Sequence, residues 1–234
     1  MKIRTFALAG ALAAALVPPA LAGKKDNSIR FGNDQVPESI DAYFNNLRIG
    51  VILAHHIWDH LIYRDPKTNE YKPAMATAWR WIDGTTLEFD LRHGIRFHNG
   101  EPFDADDVVF TLNYVSKPEN KSTTQQNVNW IAEAVKVDQY KVRLRTKKPF
   151  PAALEYLAGP VVIYPNEYYA KVGPKGMNEK PVGSGPYKVV EHQPGRLVRM
   201  QRNAEFYRES PRPQPSVERL ELRLIPDQNT RMAE

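Results

Sequence analysis

The stretch that most constrains the fold runs from Trp79 to Val115 of the 234-residue chain. Trp79 and Trp81, then Leu87, Phe89 and Leu91, keep a spacing of two around Asp83-Gly84, which predicts a half-buried β-hairpin. Ile95–His98 can add a further short strand, and Asn99-Gly100 is a turn. Asp104 then caps a helix, with Asp106 and Asp107 in its first turn and Val108, Val109, Leu112 and Val115 as its buried stripe. A hairpin feeding a capped amphipathic helix fits a mixed α/β chain.

The same reading extends to both sides. Ile29-Arg30-Phe31-Gly32 predicts a first strand and Val36–Asp41 a loop. From Ala42 to Tyr63 the apolar residues Phe44, Leu47, Val51, Ala54, Trp58 and Leu61 fall at helical spacing. Residues 116–130 are polar and loop-like. Val135 and Val137, then Val142 and Leu144, predict a second hairpin across Asp138-Gln139. Short helices are expected around Ala152–Leu157 and Asn166–Val172, and strands at Tyr187–Val190, Leu197–Gln201 and Leu220–Leu224. Asp227–Glu234 begins a helix that one turn cannot stabilise alone.

Residues 1–22 stand apart. Lys2 and Arg4 precede an uncharged apolar run from Phe6 to Val17, and Ala20-Leu21-Ala22 is a small-x-small cleavage site, so the segment predicts a secretory signal peptide cut near Ala22. The run is shorter than the roughly 20 residues a membrane span needs. Removing Lys2 and Arg4 lowers the net charge from +5 to +3. Basic and acidic residues are interleaved, and the run Lys141–Lys148 alternates with Val142 and Leu144, so a solvated strand face explains it and no nucleic-acid partner is expected. The chain has no cysteine, which removes disulfide scaffolds, thiolate metal sites, cysteine nucleophiles and an acylated N-terminal cysteine anchor.

Few residues suggest chemistry. On a helix, His56 and His60 would be i, i+4 neighbours able to share a metal, but no glutamate follows the first and no third ligand is apparent. Gly183-Ser184-Gly185 lacks the outer glycines of a nucleophile elbow, since Val182 and Pro186 occupy those positions. Gly173-Pro174-Lys175-Gly176 lacks phosphate-loop spacing. No catalytic set assembles, and neither a cofactor nor a bound metal is expected. Trp58, Trp79, Trp81 and Trp130 read as core or sheet-face residues, Trp130 being the least explained by periodicity.

Three stretches together carry a resemblance. Pro73–Trp79 leads into Thr86–Val108, which reads TLEFDLRHGIRFHNGEPFDADDV. Pro181-Val182-Gly183-Ser184-Gly185-Pro186-Tyr187 follows, and then Arg202-Asn203-Ala204-Glu205-Phe206-Tyr207. In this order and spacing the chain resembles family 5 extracellular solute-binding proteins, the periplasmic peptide- and nickel-binding components of ABC importers, from about Ser28 to Glu234. Ile40-Asp41-Ala42 departs from the family's usual Leu-Asp-Pro.

The resemblance implies a type II periplasmic binding protein-like α/β fold that closes on its ligand by hinge motion. Residues 24–45 and 176–234 would form the main sheet of the first lobe, and 46–175 an inserted α+β subdomain. Family members are much longer, so the second lobe is expected to be missing and the chain to be an N-terminal half. The implied role is non-enzymatic: capture of di- or oligopeptides or a similar small solute, and delivery to a membrane permease, by a periplasmic protein that is a monomer at full length. Asn45, Asn46, Leu47 and Arg48 map to the segment that contacts peptide in relatives, and Gln125, Gln126 and Asn127 to a loop facing the cleft. Asparagine amides can pair with a peptide backbone, and Arg48 can meet a carboxylate bidentately. Two other readings stay open: an exported metal-dependent hydrolase using His56 and His60, and a non-functional gene fragment.

Overall fold

The computed structural model describes residues 26–233, so the signal-peptide reading of residues 1–22 lies outside the described residues. Two four-stranded sheets dominate. Strands β1 (Ser28–Asn33), β8 (Tyr187–Gln193), β9 (Leu197–Arg202) and β10 (Arg219–Leu224) form one in the order β1-β10-β9-β8, with β1 parallel to β10 and the other pairs antiparallel. Strands β4 (Ala76–Trp81), β5 (Thr86–Leu91), β6 (Ile131–Asp138) and β7 (Lys141–Thr146) form the other, fully antiparallel, in the order β4-β5-β7-β6. Strands β2 (Ile62–Arg64) and β3 (Tyr71–Pro73) pair as a small ribbon.

The first predicted hairpin forms with Trp79 opposite Phe89 and Trp81 opposite Leu87. The second forms with Ala134 opposite Leu144. In that second pair Val142 and Leu144 are buried, whereas Val135 and Val137 are exposed. Irregularities in the ladder at Ile131/Glu133 and Lys136/Asp138 rotate β6 and turn these valines outward. Ile95–His98 contributes a single bridge, Arg96 to Pro102, rather than a strand.

Helix α2 (Ala105–Val115) begins where its cap predicts. The Asp104 carboxylate accepts the Asp106 N–H at 2.8 Å, and the Asp107 carboxylate accepts the Asp104 N–H at 2.9 Å. Val108, Leu112 and Val115 are buried. Helices α3 (Ala153–Ala158), α4 (Asn166–Glu179) and α5 (Gln228–Ala233) follow. In α4 the backbone breaks at Gly173 (φ 62°), a left-handed conformation for which glycine is suited. Asp227 caps α5, its carboxylate accepting the Thr230 N–H at 2.8 Å. No helix among the described residues is long and apolar enough to cross a membrane.

The helix expected over Ala42–Tyr63 is much shorter. Helix α1 spans only Arg48–Ile57. Before it, Asn45 Oδ1 accepts the Leu47 N–H at 2.7 Å and holds a turn. After it, the Ile57 carbonyl is taken by the Gly185 N–H at 2.9 Å, and Trp58 is already extended. A local side-chain hydrogen bond at the start and a tertiary one at the end override the apolar periodicity. A continuous apolar core joins the elements, and Trp58, Tyr43, Tyr164, Tyr169 and Phe89 are among its largest fully buried side chains.

Candidate functional site

The segment leading into α1 is fastened from below by a buried carboxylate. Asp41 is fully buried. One carboxylate oxygen accepts the Tyr164 hydroxyl at 2.5 Å and the Tyr43 N–H at 3.1 Å, and the other accepts the Tyr169 hydroxyl at 3.4 Å. Burial pushes its pKa up to about 6, against the lowering effect of these hydrogen bonds. Tyr43 donates its own hydroxyl to the Val162 carbonyl at 2.6 Å. The Asp41 position thus ties residues 40–48 to the buried strap Val161–Tyr164.

The far end of α1 is fixed by glycines. A Cβ on Gly183 would lie 2.0 Å from the Ile57 carbonyl oxygen, and one on Gly185 would lie 2.6 Å from that of His56. Trp58 Nε1 donates to the Val182 carbonyl at 2.9 Å. His98 closes the junction: its backbone N–H donates to Gly183 O at 2.7 Å, its Nε2 pairs with Gly185 O at 2.9 Å, and its Nδ1 accepts the Gly183 N–H at 3.3 Å. Burial lowers the imidazole to about 4, so the ring is the neutral tautomer this pattern requires.

His56 and His60 are not helical neighbours, because α1 ends at Ile57 and His60 lies in the extended stretch beyond it. His60 is buried and stacks on His55 at 4.7 Å between ring centroids. His56 hydrogen-bonds back to the Ile52 carbonyl at 2.8 Å. The paired-ligand geometry behind the hydrolase reading is therefore absent. Among the described residues, no group of three or more His, Cys, Asp or Glu side chains is placed to hold a metal ion. Asp59, also fully buried, is held below the usual carboxylate range. Burial alone would raise it, but the His60 imidazole beside it, the Arg212 guanidinium and the Tyr207 hydroxyl outweigh that. Arg212 also donates to the His55 and Trp58 carbonyls and so caps the helix C-terminus.

Between α1 and the β1 edge lies an open apolar groove of about 250 Å³. Ile49, Ile52, Leu53 and His56 of α1 form one wall, and Phe31, Met200, Leu220 and Leu222 of the sheet form the floor. Phe31 is 52% exposed and Ile52 45%, so the groove presents large apolar side chains to solvent. The floor residues fall within strands that the sequence predicts, but the α1 wall is not the predicted apolar stripe, of which Leu47 and Val51 are exposed. That the faces meet across an open groove depends on the parallel pairing of β1 with β10, which no local signal carries.

The residues singled out from the sequence divide into two groups. Asn46, Leu47 and Arg48 are exposed at the start of α1. Asn45 is buried, donating from Nδ2 to the Ser39 carbonyl at 2.6 Å and packing against Gly50, so its amide is a structural brace. Gln125 and Asn127 are half-buried and Gln126 exposed, all on a single 3₁₀ turn. Gln125 Nε2 donates to the Ser116 carbonyl at 3.0 Å, while its Oε1 is buried without a partner. Ser122 donates to the Tyr43 carbonyl at 3.0 Å, as Thr124 does at 3.4 Å, so the two candidate segments are joined through Tyr43.

Residues 70–234 match the family model described as bacterial extracellular solute-binding proteins, family 5 middle. The chain is similar to the peptide transport periplasmic protein SapA of Salmonella typhimurium (strain LT2), with 29% identity over 185 residues, covering 68% of this chain and 33% of that protein. It is similar to the glutathione-binding protein GsiB of Salmonella paratyphi A, with 27% identity over 216 residues, covering 92% of this chain and 41% of that protein. Among solved structures it is similar to a dipeptide-binding protein from Pseudoalteromonas sp. SM9913 in complex with Met-Leu. The TM-score is 0.78 and the identity 26%, over 88% of this chain and 45% of that one. The chain spans less than half the length of these relatives.

Proposed function

Because the chain belongs to the family 5 bacterial extracellular solute-binding proteins, we propose that it supplies first-lobe structure to a periplasmic component that captures a small solute and delivers it to an ABC permease in the inner membrane. The protein binds rather than transforms its solute and acts as a monomer at full length. Di- or oligopeptides are the leading ligand class, in line with the peptide-related names of the relatives. The proposed division places residues 24–45 and 176–234 in the main sheet and 46–175 in an inserted subdomain.

The observation that carries this reading is the open groove between α1 and β1, with the exposed Asn46, Leu47 and Arg48 at the start of the same helix. An apolar wall with a few polar groups beside it is the general form of a small-molecule site. Capture would bury Phe31 and Ile52, and Arg48 or Asn46 would meet the solute's polar atoms. Gln125 and Asn127 would act from the loop anchored on Tyr43.

Native mass spectrometry of the protein purified from the periplasm of exporting cells tests this. A co-purified peptide mass is expected, and it should be lost in Ile52→Ser. A solute-free spectrum, together with no binding from a dipeptide and tripeptide library, would refute the reading.

A further inference from the structure

His56 lines the groove that the solute-capture reading places at α1, and one of its ring nitrogens has an unused hydrogen-bonding capacity. His56 Nδ1 lies 2.8 Å from the Ile52 carbonyl oxygen. A carbonyl can only accept, so Nδ1 carries the proton and Nε2 presents a lone pair. Burial holds this imidazole below its ordinary range, with the Ile52 hydrogen bond opposing and the Arg212 charge assisting, so the ring is neutral at pH 7.

Nothing among the described residues donates to His56 Nε2, and it is not among the polar atoms sealed from water. The lining has two other polar side chains. Asn33 donates its amide to the Gln35 carbonyl at 2.7 Å. Glu221 is held on the charged sheet face by Arg199 and Arg223. The groove therefore offers an acceptor set in apolar walls.

We infer that His56 is a specificity-determining residue of this groove, selecting solutes that carry an uncharged N–H or O–H donor beside an apolar group. The nearby Arg212 guanidinium disfavours a cationic donor, which points to an amide N–H flanked by an apolar side chain. A solute that fills the groove without a donor leaves Nε2 desolvated and unpaired, which is where the discrimination arises.

The inference rests on the solute-capture reading, and one titration separates the two. N-acetyl-leucine N-methylamide and its counterpart methylated at both amide nitrogens are titrated into the full chain. The methyl resonances of Ile49, Ile52 and Leu53 and the ring nitrogens of His56 are followed by NMR. The donor compound is expected to bind about tenfold more tightly and to shift His56 Nε2. His56→Phe should remove the preference while keeping the methyl response, and His56→Gln, which restores an acceptor, should recover part of it. Equal affinity of the two compounds for the unaltered chain, or a preference retained in His56→Phe, overturns the role of His56 alone. Methyl resonances that respond to neither compound overturn the groove and the role of His56 together. The Nε2 shift of the unaltered chain keeps the test decisive even if His56→Phe does not fold.

Discussion

Gly183 and Gly185 matter for what they lack. Each lies so close to the carbonyls ending α1 that an added methyl group would overlap backbone oxygen rather than a movable side chain. Gly183→Ala is therefore expected to destabilise the chain by about 1–3 kcal/mol or more, read as a lower denaturation midpoint, whereas Gly84→Ala, with open space around it, should change little. Asp41 gives a prediction with a sign. Its pKa rises from 3.8 to about 6 on folding, so the fold favours the neutral acid. That stabilisation is complete below pH about 4 and lost as the pH rises through about 6, a difference on the order of 3 kcal/mol. Asp41→Asn stays neutral, so between pH 4 and 8 the unaltered chain should lose stability relative to the variant. Parallel melting profiles across that range would contradict the assignment. The two cases also differ in how far they could be read from sequence. The small residues of Gly183-Ser184-Gly185 announce close backbone approach by their type alone. Nothing in Ile40-Asp41-Ala42 announces that two tyrosines more than 120 residues away close over the carboxylate. The brace formed by Asn45 was hidden in the same way, its amide type being equally suited to a ligand.

At the scale of elements, local signals succeeded where the element is held together locally. The capping box of α2 is complete within four residues, and Asp104→Ala is expected to cost about 0.5–2 kcal/mol, measurable by urea denaturation. The two hairpins of the antiparallel sheet are legible because each joins sequence neighbours, whereas the β5–β7 pairing that unites them is not, since its partners lie more than 50 residues apart. Its solvated face is a ladder of charge: Glu88 lies among Arg80, Lys141 and Arg143 across three strands, and Lys141 also reaches Asp90. Arg143 foremost, against the effect of burial and with help from Arg80 and Lys141, holds Glu88 below the usual carboxylate range. Its contribution is present above that range and lost on acidification. Glu88→Gln should lower the melting temperature at pH 7, and the gap to the unaltered chain should narrow as the pH falls toward 3. A constant gap would show that charge is not the cause. Helix α1 is shorter than its apolar spacing predicts because its ends are set by Asn45 before it and Gly185 after it. Apolar spacing continues through Trp58 and Leu61 although the backbone does not stay helical, since those residues are buried from an extended chain.

At the scale of the whole molecule, the family was legible because its diagnostic stretches build the scaffold: the α1 terminus, the His98 turn and the start of β8 meet at one junction. The groove was not legible, because it exists only once distant strands are in register. Its exposed Phe31 and Ile52 predict that the 234-residue chain by itself binds a hydrophobic dye, and that the Phe31→Ser, Ile52→Ser double variant binds markedly less. Fluorescence that the double variant leaves unchanged would place the exposed apolar surface elsewhere. The parallel pairing of β1 with β10 also has a kinetic side. Asn27 beside β1 donates to the Ser216 carbonyl across 189 residues of chain, so the first strand must wait for almost the last before it can join a sheet. Closing so long a loop before any contact rewards it is slow. The antiparallel sheet, whose longest-range pairing spans fewer than 60 residues, should acquire hydrogen-exchange protection first, with β1 left as an unpaired ribbon until β10 arrives. A chain with this topology holds its first strand in reserve until residues 219–224 have been made and set against β9, so β1 records the completion of the sheet rather than its beginning.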